Sequence, residues 1–280
     1  MRLLVTGHTG FIGSKLTQEL KTQGRHEVIG VSRSAGFDLL ERDCLANIGQ
    51  VDKIIHLAGT LGVVESWADP HAFYQGNVLS TLNLLEFARS GKVPLVLLSS
   101  YVYGIAQYLP VDEKHPVECS NPYSRSKRLA ELLCIGYAKD FGIPLTILRP
   151  FNVYGSSQKT DNIISHVVTQ LQSGDRIRVK DLTPKRDFLH VDDLVSAIIL
   201  SVAADNGLNI YNVGFGKSHS VLEIIECAAR IADRRISIES ANEQRPNEIM
   251  DCYANVEKFR SAFGWTPKVS LESGLRELLK

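Results

Sequence analysis

Residues 1–16 read MRLLVTGHTGFIGSKL. Leu3, Leu4 and Val5 make a short apolar run, and Gly7, Gly10 and Gly13 follow it at a spacing of three. A glycine at the first of these places permits a tight turn. The second lets backbone approach a pyrophosphate, and the third lets the next helix pack against the strand. The first turn of that helix then offers unpaired N–H groups and the positive end of its dipole to phosphate. We therefore expect a strand over 2–6, beginning at once with no leader ahead of it, and a helix over 11–23. Between them Gly7, Thr9, Gly10, Phe11, Ile12 and Gly13 are expected to hold a dinucleotide.

Outward from this motif, strand and helix patterns alternate. Residues 27–32 read as a second strand. Residues 53–58 and 94–100 are short apolar runs bounded by turn residues, as in buried parallel strands. Helical periodicity covers 77–89, with Leu79, Leu82, Leu85 and Phe87 among its apolar positions, and again 122–141, followed by a strand at 144–148. Strands alternating with helices imply right-handed crossovers and a parallel sheet covered on both faces. The expected fold class is α/β, a Rossmann-type doubly wound parallel sheet with a smaller C-terminal lobe. Residues 1–150 and about 186–215 are assigned to the dinucleotide-binding domain. Residues about 151–185 and 216–280 are assigned to the substrate lobe, where the rhythm loosens around a helix at 162–173.

Composition narrows the function classes. A chain of 280 residues, 44% apolar and 22% charged, suits a globular enzyme with a sizeable core. Lys plus Arg equal Asp plus Glu at 31 each, so no basic surplus tracks a phosphodiester backbone, and nucleic acid is not an expected partner. Cys44, Cys119, Cys134, Cys227 and Cys252 include no Cys-x-x-Cys pair, which argues against a zinc site or disulfide framework; no metal is expected. The longest apolar stretch, near 195–204, is too short to span a bilayer, so a cytoplasmic location without membrane association is expected.

Three further clusters bear on chemistry. After VIGV (residues 28–31) stands Ser32-Arg33-Ser34, where an acidic residue would hold the ribose hydroxyls of NAD. A guanidinium and two hydroxyls suit a 2′-phosphate instead, so NADP(H) is the preferred cofactor and NAD(H) the lesser one. Asp38 and Leu39 are expected at the adenine edge. In Asn121-Pro122-Tyr123-Ser124-Arg125-Ser126-Lys127, residues four apart share a helix face, so Tyr123 and Lys127 can meet one ligand. A nearby ammonium favours phenolate, and we expect it to lower the Tyr123 pKa toward working pH. Upstream, PLVLLSS delivers Ser99 and Ser100 to the carboxyl end of a strand, where sites gather in open α/β sheets.

Together these residues resemble the extended short-chain dehydrogenase/reductase family of nucleotide-sugar epimerases, dehydratases and reductases. TGHTGFIG, SSYVYG and YSRSK carry the resemblance, as do HLAG (56–59), Asn77, LRPFNVYG (148–155), RDFLHVDDL (186–194) and YNVG (211–214). It spans essentially the whole chain. The resemblance implies a catalytic set of Ser99, selected as the serine four residues before Tyr103, with Tyr123 and Lys127. It implies cofactor contacts from Leu57, Ala58, Gly59 and Asn77 as well. Substrate contacts are implied for Ser100, Tyr101, Asn152, Arg186, Arg245 and Glu248, the arginines facing a diphosphate or ribose. It also implies a nucleoside-diphosphate sugar as partner substrate, and a homodimer as one form of assembly.

Dehydratases of the family carry Asp and Glu where this chain has Ser100 and Tyr101, so dehydration is not expected. Ser32-Arg33 and the RPNE segment are similar to NADPH-dependent reductases of 4-keto-6-deoxysugars. We expect reduction of the C4 keto group of a nucleotide-activated 4-keto-6-deoxyhexose. An NAD-dependent UDP-hexose 4-epimerase is the alternative, and a dinucleotide sensor without turnover is a third.

Overall fold

The computed structural model describes residues 1–158, 162–204, 207–243 and 248–280. In chain order, its elements begin with β1 (Arg2–Thr6), α1 (Phe11–Gln23), β2 (Glu27–Val31) and β3 (Lys53–His56). Then come α2 (Val63–Ala68), α3 (Pro70–Tyr74), a π turn (Gln75–Leu79), α4 (Ser80–Gly91), β4 (Leu95–Leu98), α5 (Pro122–Phe141) and β5 (Leu145–Pro150). The remainder comprises β6 (Asn152–Tyr154), α6 (Ile163–Ser173), β7 (Arg176–Val179), β8 (Lys185–His190), α7 (Val191–Val202) and β9 (Leu208–Val213). It ends with β10 (Ser218–Ser220), α8 (Val221–Ile231), β11 (Ser237–Ser240), α9 (Glu257–Phe263) and α10 (Leu271–Leu278).

The chain divides into two compact units. The first contains Met1–Val102, Val117–Arg149 and Val195–Tyr211. Its six-stranded sheet has the order β2-β1-β3-β4-β5-β9. Neighbours pair in parallel from β2 through β5. The order reverses between β1 and β3, the topological switch point where a crevice opens beyond the carboxyl ends of the strands. Helices α4 and α5 pack Leu84, Leu85, Ala88 and Cys134 against Leu95, Leu97 and Ile147 of the sheet. Burying such side chains contributes on the order of 1.5–3 kcal/mol each. The α/β, Rossmann-like architecture expected from the sequence is the observed one.

Local chemistry explains the boundaries of α5. The Asn121 side chain accepts the Ser124 N–H at 2.8 Å, Pro122 occupies the first turn, and Gly142 ends the helix at φ 69°. The crossover from β2 to β3 is abbreviated, with a 3₁₀ turn at Arg33–Ala35. The helix expected over 77–89 differs. Helical structure begins at Val63, and the π turn at Gln75–Leu79 interrupts the 3.6-residue period before α4.

The second unit contains Tyr103–Pro116, Pro150–Leu194 and Asn212–Lys280. It holds a three-stranded sheet, β10-β8-β6, and a two-stranded one, β11-β7. Its core gathers Ile164, Val167, Leu171, Ile177, Ile224, Ile225 and Leu275. Asp187 on β8 ties it together, accepting N–H groups from Phe215, Gly216 and Ala254 at 2.7–3.0 Å. No described helix is long and apolar enough to cross a membrane.

Candidate functional site

The glycine loop forms a cradle. Gly7 adopts φ 69°, which L side chains disfavour, and donates to Val31 O at 2.8 Å, while Gly10 donates to Gly7 O at 2.9 Å. A Cβ on Gly13 would collide with Gly7 O, and one on Gly7 would lie 2.8 Å from Ala58 N. Gly10 is the N-cap of α1, no side chain caps that terminus, and the first turn carries no acidic residue. Free N–H groups above a cradle with no room for a Cβ fit a dinucleotide pyrophosphate. Phe11 and Ile12 open this helix, half-buried.

At the end of β2, Thr9 Oγ1 and Ser32 Oγ each lie 3.0 Å from Ser34 Oγ, tying the loop after β2 to the glycine loop. Arg33 is exposed beside them. Asp38 accepts the Leu40 N–H at 3.0 Å. Leu39 is turned into the core, its carbonyl accepting from Asn83 Nδ2 at 2.9 Å, so its side chain is not free to cover an adenine.

Beyond β3, the N–H groups of Leu57 and Ala58 donate to Thr6 Oγ1 at 3.2 and 3.1 Å. His56 is wholly buried between Thr6 Oγ1 at 2.7 Å and Thr81 Oγ1 at 2.9 Å. Burial, aided by the Lys127 charge, drops its pKa to about 3, so the imidazole is neutral. Asn77 lies in the π turn. Its amide donates to Thr60 O at 3.1 Å and Ser126 Oγ at 2.8 Å, and its oxygen accepts the Thr60 N–H at 2.9 Å. Both N–H bonds are thus spent clamping the β3 loop to α5, and Gly59 leaves room for that clamp: a Cβ there would sit 2.5 Å from Asn77 Oδ1.

Helix α5 presents Tyr123, Lys127 and Glu131 at successive four-residue steps, one stripe of phenol, ammonium and carboxylate. Lys127 Nζ donates to Leu98 O at 2.7 Å, and burial lowers its pKa to about 8 while Glu131 pulls it back up. For Tyr123 the expected lowering by Lys127 is not what the structure has. Burial raises its pKa, and the opposing influence is a hydrogen bond with Ser100. The phenol loses solvation that its anion needs.

Glu131 was not anticipated from the sequence. Burial pushes its carboxyl up, but Arg149, with Ser99 and Arg128, holds it below the usual range. Arg149 donates from Nε at 2.9 Å and from a terminal nitrogen at 2.7 Å, and Arg128 adds a contact at 2.8 Å. The four-residue step from Lys127 was the available signal.

The two serines diverge. Ser99 continues the face of Leu95 and Leu97, and its Oγ is buried near Glu131 without a hydrogen bond of good geometry. Ser100 is half-buried and meets Tyr123. Tyr101 follows, half-buried as well.

In the second unit Asn152 donates to Asp187 O at 3.3 Å. Arg186 donates to the Glu248 carboxylate at 2.5 Å and to Ile249 O, so these two expected substrate contacts pair with each other. Arg245 lies outside the described residues. His190, Asp192 and Glu277 also converge. His190 Nδ1 accepts the Asp192 N–H at 3.3 Å, which leaves a protonated Nε2 facing Glu277 at 3.7 Å, an arrangement unsuited to a metal.

Comparison with known proteins gives the family of the chain. The family described as "NAD dependent epimerase/dehydratase family" matches residues 3–214. The GDP-6-deoxy-D-mannose reductase of Pseudomonas aeruginosa is 32% identical over 293 residues, spanning 99% of this chain and 96% of that protein. The solved structure of RMD from Pseudomonas aeruginosa complexed with NADPH matches with a TM-score of 0.91 at 32% identity, covering 99% and 97% of the two chains. UDP-glucuronic acid 4-epimerase from Bacillus cereus, in complex with UDP-glucuronic acid and NAD, matches with a TM-score of 0.90 at 27% identity, covering 100% and 98%. This chain belongs to the NAD dependent epimerase/dehydratase family.

Proposed function

We propose that this protein is an NADPH-dependent reductase of the C4 keto group of a nucleotide-activated 4-keto-6-deoxyhexose. The observation that carries the reading is the pairing of the Tyr123/Lys127 stripe with Ser32-Arg33-Ser34 at the end of β2. The full-length likeness to a GDP-6-deoxy-D-mannose reductase supports it. The residues of the first unit fit the cofactor: the glycine cradle for the pyrophosphate, and Arg33 with the Ser32 and Ser34 hydroxyls for a 2′-phosphate. When bound, the nicotinamide supplies the hydride.

The chain's own residues supply the rest. Tyr123 gives its phenolic proton to the sugar's C4 oxygen as charge develops there. A serine hydroxyl from the end of β4 holds the same oxygen and orients the carbonyl. Lys127, held from beneath by Leu98 O and Glu131, brings positive charge to the site and stabilises the phenolate left behind. Asn152, Arg186, Arg245 and Glu248 of the second unit are assigned to the nucleoside diphosphate. A homodimer is the proposed assembly.

The test is NADPH oxidation with GDP-, CDP-, dTDP- and UDP-linked 4-keto-6-deoxyhexoses, beside interconversion of UDP-glucose and UDP-galactose. We expect NADPH consumption with at least one keto sugar, abolished in Tyr123→Phe, and an NADPH preference reduced on the order of 100-fold in Arg33→Ala. Interconversion of UDP-hexoses with tightly held NAD, indifferent to Arg33, would replace the reading with a 4-epimerase.

A further inference from the structure

His8 is the largest residue between Gly7 and Gly10, and two other glycines make room for it. On β2, Ile29 and Val31 pack on the core shared by Leu84 and Leu85, so Gly30 between them turns to the opposite face. The His8 ring lies against that bare face: a Cβ on Gly30 would stand 2.5 Å from both Cγ and Cδ2 of the ring. On α1, a Cβ on Gly13 would stand 2.8 Å from His8 Cα. The residue is wedged, its backbone against the first turn of α1 and its ring against β2.

Shape holds the ring in this seat, since His8 Nδ1 is buried without a hydrogen-bond partner. Its neighbours on either side are tied down by hydrogen bonds. The Gly7 N–H donates to Val31 O at 2.8 Å, and Thr9 Oγ1 lies 3.0 Å from Ser34 Oγ, itself 3.0 Å from Ser32 Oγ. The wedge therefore sets the distance between the glycine loop and Ser32-Arg33-Ser34.

We propose that Gly30 and His8 are paired positioning residues that set the preference for NADPH over NADH. The ring seated on the bare strand holds Thr9 where it meets Ser34, and so presents Ser32, Arg33 and Ser34 to the 2′-phosphate. This rests on the reading of that segment as the 2′-phosphate seat, and not on the sugar reaction.

The ring has little freedom to yield. Cγ is one bond from Cβ, so it moves only with a change of rotamer or of backbone, and Gly13 already lies behind the Cα. A methyl at position 30 turns the ring out of its seat, and Thr9, the next residue, moves with it. NADPH and NADH share the pyrophosphate, so strain in the loop reaches both. Only NADPH carries the phosphate that the Thr9, Ser34 and Ser32 hydroxyls help to seat, so NADPH loses more.

The test is equilibrium binding of NADPH and of NADH to the full chain without substrate, in Gly30→Ala, His8→Ala, the double variant and Arg33→Ala. Gly30→Ala should weaken NADPH on the order of 10-fold, as for an overpacked contact, and NADH clearly less. The double variant removes the ring that the methyl meets, so it should bind NADPH more tightly than Gly30→Ala and recover most of the preference. Two independently harmful substitutions would add instead. If Gly30→Ala does not fold, the double variant should fold and bind. A double variant that fails as the single one does would overturn the pairing, as would an unchanged preference in Gly30→Ala. Loss of the preference in Arg33→Ala but not in Gly30→Ala would overturn the pairing and keep the 2′-phosphate seat. A preference indifferent to Arg33→Ala, yet lost in Gly30→Ala and restored in the double variant, would remove the arginine from the seat and keep the pairing.

Discussion

Arg149 on β5 grips both oxygens of the Glu131 carboxylate on α5, at 2.9 Å from Nε and 2.7 Å from a terminal nitrogen, with 2% and 0% of the two side chains exposed. The pair bolts the helix that carries Tyr123 and Lys127 to the sheet. Removing one partner strands a buried charge. Arg149→Met should therefore destabilise the protein by about 3 kcal/mol, read from chemical denaturation. A loss below about 1 kcal/mol would mean that Arg128 alone compensates Glu131, as a surface pair would.

Lys127 titrates near pH 8 because burial disfavours its charged form, and Glu131 offsets part of that. Glu131→Gln removes the offset, so the Lys127 pKa falls further. Where activity needs the ammonium, the alkaline limb of the pH–rate profile should move to lower pH. Stability gives the same residue a second signature. With the folded value below the unfolded 10.5, the unfolded chain binds more protons between about 8 and 10.5, and stability rises with pH across that window. Lys127→Met should flatten that rise in denaturation curves taken at its two ends.

His56 makes the opposite demand at acid pH. Its imidazole bridges Thr6 and Thr81 while neutral, with a pKa near 3 against 6.5 in the unfolded chain. The unfolded state takes up the proton first, so stability is lost as pH falls from 6.5 toward 3. His56→Gln should shallow the loss across that window, whatever it costs at neutral pH. An unchanged acid limb would assign the loss to other groups.

Two glycines should answer substitution with opposite signs. Gly13→Ala drives a Cβ into Gly7 O, so the cradle must shift. We expect a loss of about 1–3 kcal/mol in stability and failure to retain the cofactor in equilibrium binding. Gly136 lies within α5, and a Cβ added there would meet nothing within 4 Å, so Gly136→Ala should stabilise by about 0.5–1 kcal/mol in the same denaturation assay.

Much of the first unit was legible in the chain because its cues are local. A strand, a glycine turn and a helix follow one another within residues 1–23, and short-range backbone preferences are enough to set them. The same holds for α5, whose Asn121 cap, Pro122 and terminal Gly142 lie beside the residues they govern. The tyrosine and lysine of the candidate site could be paired from helical period alone.

What tertiary structure decided were partnerships between distant segments. Residues 103–116 join the second unit because Val111 exchanges backbone hydrogen bonds with Tyr253 and Asn255, more than 140 positions away, and no local pattern encodes that. The π turn at Asn77 serves a clamp to Thr60 and Ser126, which periodicity cannot foresee. Arg149 and Glu131 stand 18 positions apart, and their pairing exists only because a strand and a helix bury them against each other. Period and composition are properties of neighbours along the chain; the state of a proton depends on what burial and folding bring alongside it.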